Sequence, residues 1–165
     1  LSLWFAGEEN IMFLGSVQTR VDEKGRLKLP ADVKRELEEG QKFFITSEDG
    51  RWAQLYPIKE WERKMSWVMK MKPSHPARLK FENATRLYGL ETEMDGQGRV
   101  LLPQRLRTKA RLMNEDVTIV GKLLKPKEPG YPGILEVIND ADYVAEVEAA
   151  PITNEDRMAM SEFED

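Results

Sequence analysis

Thr19-Arg-Val-Asp-Glu-Lys-Gly-Arg-Leu-Lys-Leu-Pro30 aligns without a gap on Thr92-Glu-Met-Asp-Gly-Gln-Gly-Arg-Val-Leu-Leu-Pro103. The two stretches share Thr, Asp, Gly, Arg, Leu and Pro, six of twelve positions. Chance explains this poorly, and an internal repeat constrains the fold before any single motif does. The correspondence continues downstream, where Val33 falls on Leu106, Lys34 on Arg107, and Phe43-Phe44-Ile45 close to Val117-Thr118-Ile119. The chain therefore reads as two copies of one unit.

Each copy has a physical reading. Strand patterns at Ser16–Arg20 and Glu91–Met94 run into an aspartate, then three residues ending in glycine, then returning strands at Arg26–Leu29 and Arg99–Leu102. This spacing predicts a hairpin in each unit, with Gly25 and Gly98 supplying the left-handed backbone that such a turn needs. Pro30 and Pro103 end the returning strands and open short helices, where a missing N–H is harmless. Val33 and Leu37 in Ala31–Glu39, and Leu106 and Ala110 in Gln104–Leu112, lie four apart on one face. Two further strands complete each unit, Lys42–Thr46 with Trp52–Tyr56 and Val117–Val120 with Ile134–Val137.

A helical pair lies between the units. Ile58, Trp61, Met65 and Val68 form one stripe; Ala77, Phe81, Ala84 and Tyr88 form another, which Gly89 stops. Such stripes are core or oligomer contacts rather than a cofactor box. His75, between two prolines, reads as a loop residue. Asp140–Val147 is expected to form a third short helix, and the acidic residues beyond Pro151 are expected to form a mobile tail. Leu1–Ile11 reads as a translated leader or flexible arm ahead of Met12. The expected organisation is thus 1–11 leader or arm, 12–60 first unit, 61–88 helical section, 89–147 second unit and 148–165 acidic disordered tail.

The chain has 165 residues, no cysteine and one histidine. Disulfides, thiolate metal sites, cysteine nucleophiles and multi-histidine metal sites are excluded. No apolar run approaches the roughly 20 residues that span a bilayer. The phosphate-loop and calcium-loop patterns are incomplete, so no enzyme, cofactor, metal, membrane or small-molecule substrate is expected, and a cytoplasmic location is the simplest one. The formal charge of −4 conceals a strong asymmetry, because residues 140–165 hold nine acids and one base and leave residues 1–139 at +4. Arg99, Arg105, Arg107, Lys109 and Arg111 crowd thirteen residues that contain no acid. The body of the chain is basic, as a nucleic-acid binder requires.

The repeated turn suits that partner. Asp22 and Arg26 flank a three-residue loop, so the carboxylate can hold the guanidinium in place. An oriented guanidinium matches the O6/N7 edge of guanine, and a two-stranded ribbon fits the major groove. Lys24 at the first loop tip would attract phosphate, while Gln97 holds that place in the second as a neutral hydrogen-bonder. The candidate DNA-binding residues are Asp22, Lys24, Gly25, Arg26 and Lys28 in the first unit and Asp95, Gln97, Gly98 and Arg99 in the second. Lys28, Arg105, Arg107, Lys109 and Arg111 are candidates for backbone contact. Taken singly, each Asp–Arg pair reads as a clip on a turn. Its recurrence with the glycine, inside a basic body, tips the reading toward DNA.

Met12-Phe-Leu-Gly15, Asp22-Glu-Lys-Gly-Arg26 with Pro30, Leu55-Tyr-Pro57 with Glu60-Trp61-Glu62, Met94-Asp-Gly-Gln-Gly-Arg99 with Leu102-Pro103, and Val117-Thr-Ile-Val-Gly121 together resemble the MraZ family. The resemblance runs from Met12 to about Val144. It implies an α+β fold of two tandem AbrB-like swapped-hairpin β-barrel units in one chain, with a helical pair between them. It also implies a nucleoid-associated regulator that binds double-stranded DNA at promoter direct repeats. Such a regulator would assemble into a homo-oligomeric ring and repress the division and cell-wall gene cluster that includes its own gene. The family's DNA-contacting Asp-x-x-x-Arg stretch maps onto Asp22–Arg26 and Asp95–Arg99. The Pro/Gly-rich Lys125–Gly133 and the acidic tail depart from the pattern. They leave a second function class open, an oligomeric protein-interaction or antitoxin-like scaffold that acts through the tail.

Overall fold

The computed structural model of the chain describes residues 15–122 and 133–164. The expectations for Leu1–Ile11, for Met12-Phe-Leu and for most of Lys125–Gly133 lie outside these residues. The first copy contributes β1 (Val17–Thr19), β2 (Arg26–Lys28), α1 (Ala31–Arg35), β3 (Lys42–Thr46) and β4 (Ala53–Pro57). The second contributes β5 (Leu90–Glu93), β6 (Arg99–Leu101), α4 (Gln104–Lys109), β7 (Val117–Lys122) and β8 (Ile134–Asn139). Between them stand α2 (Ile58–Val68) and α3 (Pro76–Tyr88), and α5 (Asp140–Ala149) and α6 (Asn154–Ser161) follow. Every strand foreseen from the repeat is present, and α1 and α4 are shorter than their apolar spacing predicts.

The pairing differs from the expected hairpins. β1 and β2 do not pair with each other, nor do β5 and β6. Six strands form one antiparallel sheet in the order β1-β7-β8-β4-β3-β5, and β2 and β6 form a separate two-stranded ribbon. Each copy lends its first strand to the other: Val17 faces Ile119, and Phe43 faces Thr92. The ribbon likewise takes one strand from each copy, with Leu27 opposite Val100. Strand alternation defines which face is buried but not which of two near-identical strands is the neighbour. A strand can pair with its counterpart's surroundings as readily as with its own. What reads as a hairpin is a tight turn whose arms part.

The exchange produces one hydrophobic core. Leu27 and Leu29, Val33, Phe43 and Ile45, and Ala53 and Leu55 pack in the same cluster as Val100, Leu102, Leu106, Val117, Ile119 and Val137. The 12–60 and 89–147 division is therefore one of sequence, since neither segment holds a complete sheet. Each fully buried Leu, Ile, Val or Phe in this cluster contributes about 1.5–3 kcal/mol relative to exposure.

The helical pair is anchored by Trp61, whose ring lies 4.4 Å from Phe44, 5.1 Å from Tyr56 and 6.1 Å from Phe81. The Trp/Met stripe is thus partly core, as its spacing predicts. His75 caps α3: its Nδ1 accepts from the Ala77 N–H at 3.0 Å, and Pro76 occupies the first helical position. At the other end of the sheet, α5 is held by Glu146, which meets Arg51 at 2.5 Å and accepts from Trp52 Nε1 at 3.3 Å.

Residues 148–165 depart from the expected disordered tail, because Asn154–Ser161 forms α6. Composition favoured disorder, but the helix is encoded locally. The Thr153 side chain accepts from Asp156 N–H while the Asp156 carboxylate accepts from Thr153 N–H, a reciprocal capping box. Glu155 and Asp156 sit in the first turn, where the helix dipole favours them. All residues of α6 are exposed, so it packs against none of the described core.

Candidate nucleic-acid interface

The two repeated turns superpose in chemistry. Asp22 Oδ1 accepts from the N–H groups of Lys24 and Arg26, both at 2.9 Å, and Oδ2 accepts from Arg26 Nε at 3.0 Å. Asp95 Oδ1 accepts from the N–H groups of Gln97 and Arg99, both at 2.9 Å, and Oδ2 accepts from Arg99 Nε at 3.0 Å. Main-chain bonds close each turn, from Asp22 N–H to Arg26 O and from Asp95 N–H to Arg99 O, both at 2.9 Å. Each carboxylate therefore shapes its loop and orients its arginine at once. Because the carboxylate takes the Nε–H, the end-on edge of the Arg26 guanidinium, formed between its two Nη groups, faces away from that clamp.

Gly25 and Gly98 adopt φ of +85° and +76°, the left-handed region expected of them. Each also lies close against a long basic side chain. A Cβ on Gly25 would lie 2.2 Å from Arg107 Nη1, and one on Gly98 would lie 2.8 Å from Lys34 Cδ. Each loop rests on the helix of the opposite copy, at positions that the repeat aligns with each other. Arg107 Nε donates to Leu102 O at 3.0 Å.

Strand parity arranges the ribbon. Leu27 and Val100 point into the core, so Arg26, Lys28, Arg99 and Leu101 share the outer face. Arg26 lies across from Leu101 and Lys28 across from Arg99. The two arginines thus occupy one diagonal of a four-residue grid, and Arg99 Nη1 also comes within 3.8 Å of Asp22 Oδ2. Lys24 and Gln97 are exposed at the loop tips.

The other candidates divide. Arg105 and Lys109 are exposed on α4 beside Gln104 and Thr108. Arg107 lies against Gly25 and donates its Nε–H to Leu102 O. Arg111 pairs with Asp142 and with Glu115, the latter at 3.7 Å, and its hydrogen bond to Asp142 holds its pKa above the ordinary arginine value. Arg107 and Arg111 thus also tie parts of the fold together, through the Leu102 carbonyl and through Asp142. Sequence reasoning missed Lys34 as a loop support and Leu101 as a member of the outer face. Alignment of Lys34 with Arg107, and strand parity for Leu101, were the signals available.

Backbone hydrogen bonds from Arg26, and from Arg99 in the second turn, lower the carboxyl pKa of Asp22 and Asp95 below the ordinary value. A carboxyl depressed in the folded state stabilises above its unfolded value of about 3.9. That contribution is lost as pH falls from about 4 through the lowered folded value. Carboxyl carbon NMR titration is expected to place both groups below 3.9, with the Lys24 and Gln97 amide signals shifting in the same window. Titration at or above the ordinary value would show that the clamps are not formed in solution.

Among the described residues no group of three or more His, Cys, Asp or Glu side chains could hold a metal ion, and no helix is long and apolar enough to cross a membrane. The family model described as "MraZ protein, putative antitoxin-like" matches residues 89–124, which include the second turn and β6. A protein of Acidobacterium capsulatum named transcriptional regulator MraZ is 44% identical over 154 residues, covering 92% of this chain and 99% of the relative. The chain belongs to the MraZ family. A Koribacter versatilis MraZ regulator is 41% identical to this MraZ-family chain over 155 residues, covering 92% and 99% of the two. A Haemophilus influenzae MraZ regulator is 32% identical over 117 residues, covering 69% and 77%. In this MraZ-family chain the family-model match thus falls on one half of the exchanged ribbon.

Proposed function

We propose that the chain is a DNA-binding transcriptional regulator that reads base edges with the outer face of the β2–β6 ribbon. The observation that carries this reading is the grid of Arg26, Arg99 and Lys28 on an exposed two-stranded ribbon, with both arginines clamped by aspartates. A ribbon of this kind fits the major groove, about 12 Å wide, and a pre-oriented guanidinium loses little freedom on meeting guanine. Lys24, Lys28, Arg105 and Lys109 add affinity for the phosphate backbone. The names of the curated relatives support transcriptional regulation as the output.

The finer reading follows from the same site. One chain offers only two arginine readers, so a homo-oligomer, a ring as the family resemblance implies, presents many ribbons to repeated sites and gains through effective concentration. The natural target is a set of direct repeats upstream of the chain's own gene in the division and cell-wall cluster, with repression as the outcome. The whole fold then has two AbrB-like units that exchange strands, with Gly25 and Gly98 keeping the reader loops seated.

Fluorescence anisotropy with DNA from upstream of the gene, against shuffled DNA of equal composition, tests this at several salt concentrations. The expected result is preferential binding, with log affinity falling linearly against log salt by about 0.9 per phosphate neutralised. Equal affinity for both DNAs would overturn sequence reading and turn attention to a partner of the acidic C-terminal helix.

A further inference from the structure

We infer that Leu101 is a specificity-determining residue that reads the C5 methyl group of a thymine beside the base pair addressed by Arg26. The inference deepens the DNA-reading function proposed above and rests on it. An axis through the Leu27–Val100 pair relates the two ribbon strands approximately, exchanging Arg26 with Arg99 and Lys28 with Leu101. The arginine diagonal is symmetric, and the other diagonal is not.

Leu101 is 40% exposed. A single exposed leucine ordinarily requires no explanation; this one shares a small outer face with three cations and takes the position that a lysine holds in the other copy. A ribbon relying on charge alone would do better with lysine at both positions, because leucine forfeits a phosphate contact. In the major groove the apolar feature that an aliphatic side chain can match is the thymine methyl. Side chains opposite each other on a ribbon are about 4.5–5.5 Å apart, and successive bases on a strand are spaced by about 3.4 Å. Leu101 and Arg26 therefore address neighbouring base pairs. At the loop tips the asymmetry runs the other way, because the Lys24 loop lies at the Leu101 end of the ribbon and the Gln97 loop at the Lys28 end. Each end thus carries two cations and one neutral side chain, and the aliphatic neighbour suited to an A·T pair stands beside Arg26.

The test uses the full chain and the duplex it selects from a randomised pool. Each thymine of that duplex is replaced in turn by uracil, which removes the methyl group and leaves base pairing intact. One replacement is expected to weaken wild-type binding about fourfold, the effect of losing one buried methyl group. Leu101→Ala is expected to bind the thymine and uracil duplexes equally while still preferring the selected sequence. Leu101→Lys is expected to lose that thymine preference and gain a steeper salt dependence. The inference is overturned if no thymine replacement affects wild type, or if Leu101→Ala remains as sensitive as wild type while sequence preference persists. A pool that yields no preferred duplex overturns the DNA-reading function itself, and this inference with it.

Discussion

Arg26→Ala/Arg99→Ala is expected to abolish the proposed preferential binding to upstream DNA while leaving the fold intact. A bidentate arginine–guanine contact discriminates by about 1–3 kcal/mol, so loss of two lowers affinity for the preferred duplex by at least about 30-fold. Affinity for shuffled DNA falls less, because there only two charges are lost. The fold survives because both side chains lie on the outer face, while Leu27 and Val100 hold the ribbon to the core. Removing the clamps instead, with Asp22→Asn/Asp95→Asn, keeps the guanidinium groups but releases their orientation, and an intermediate loss is expected. Anisotropy for binding and circular dichroism for folding check both variants. A folded double-arginine variant that still prefers the upstream DNA would return the two turns to the role of simple clips.

Leu27→Ala destabilises the chain by about 2–5 kcal/mol, as measured by chemical denaturation. Leu27 is fully buried and faces Val100 across the ribbon. Truncation removes one of the two residues that join the ribbon to the core, and the flanking strands of three residues offer little room to close the cavity. Leu101→Ala, one position along from Val100 but facing outward, is expected to change stability by less than about 0.5 kcal/mol. The comparison separates the core-facing from the outward-facing side of one short two-stranded ribbon. Equal stability of Leu27→Ala and wild type would mean that the ribbon is not seated on the core as described.

Much of this was legible in the residues, for identifiable reasons. Local rules placed Gly25 and Gly98 at left-handed positions, put Asp22 against Arg26, and set two helices between the copies, because each depends on neighbours a few residues away. Strand partners were not legible in the local pattern, which pointed to simple hairpins because alternation carries no address; the family resemblance alone implied a swapped arrangement. The same limit hid the fate of Arg107 and Arg111. Their helix reads as a basic face, but Arg107 meets the loop of the other copy and Arg111 meets Asp142, contacts that only the tertiary fold creates. With α6 composition misled: the acids that favour disorder as a set include the Asp156 that caps the helix and the Glu155 of its first turn.

The strand exchange makes the molecule a dimer written as one polypeptide. Two separate half-length chains with the same contacts would form the ribbon only above their association threshold, so dilution would dismantle it. Tethered through α2 and α3, the halves meet at an effective concentration set by the linker and independent of expression level. The tether also frees the halves from identity. A substitution such as lysine to leucine enters one half without entering the other, which permits the unequal pairs Lys24 with Gln97 and Lys28 with Leu101 that a homodimer could never hold.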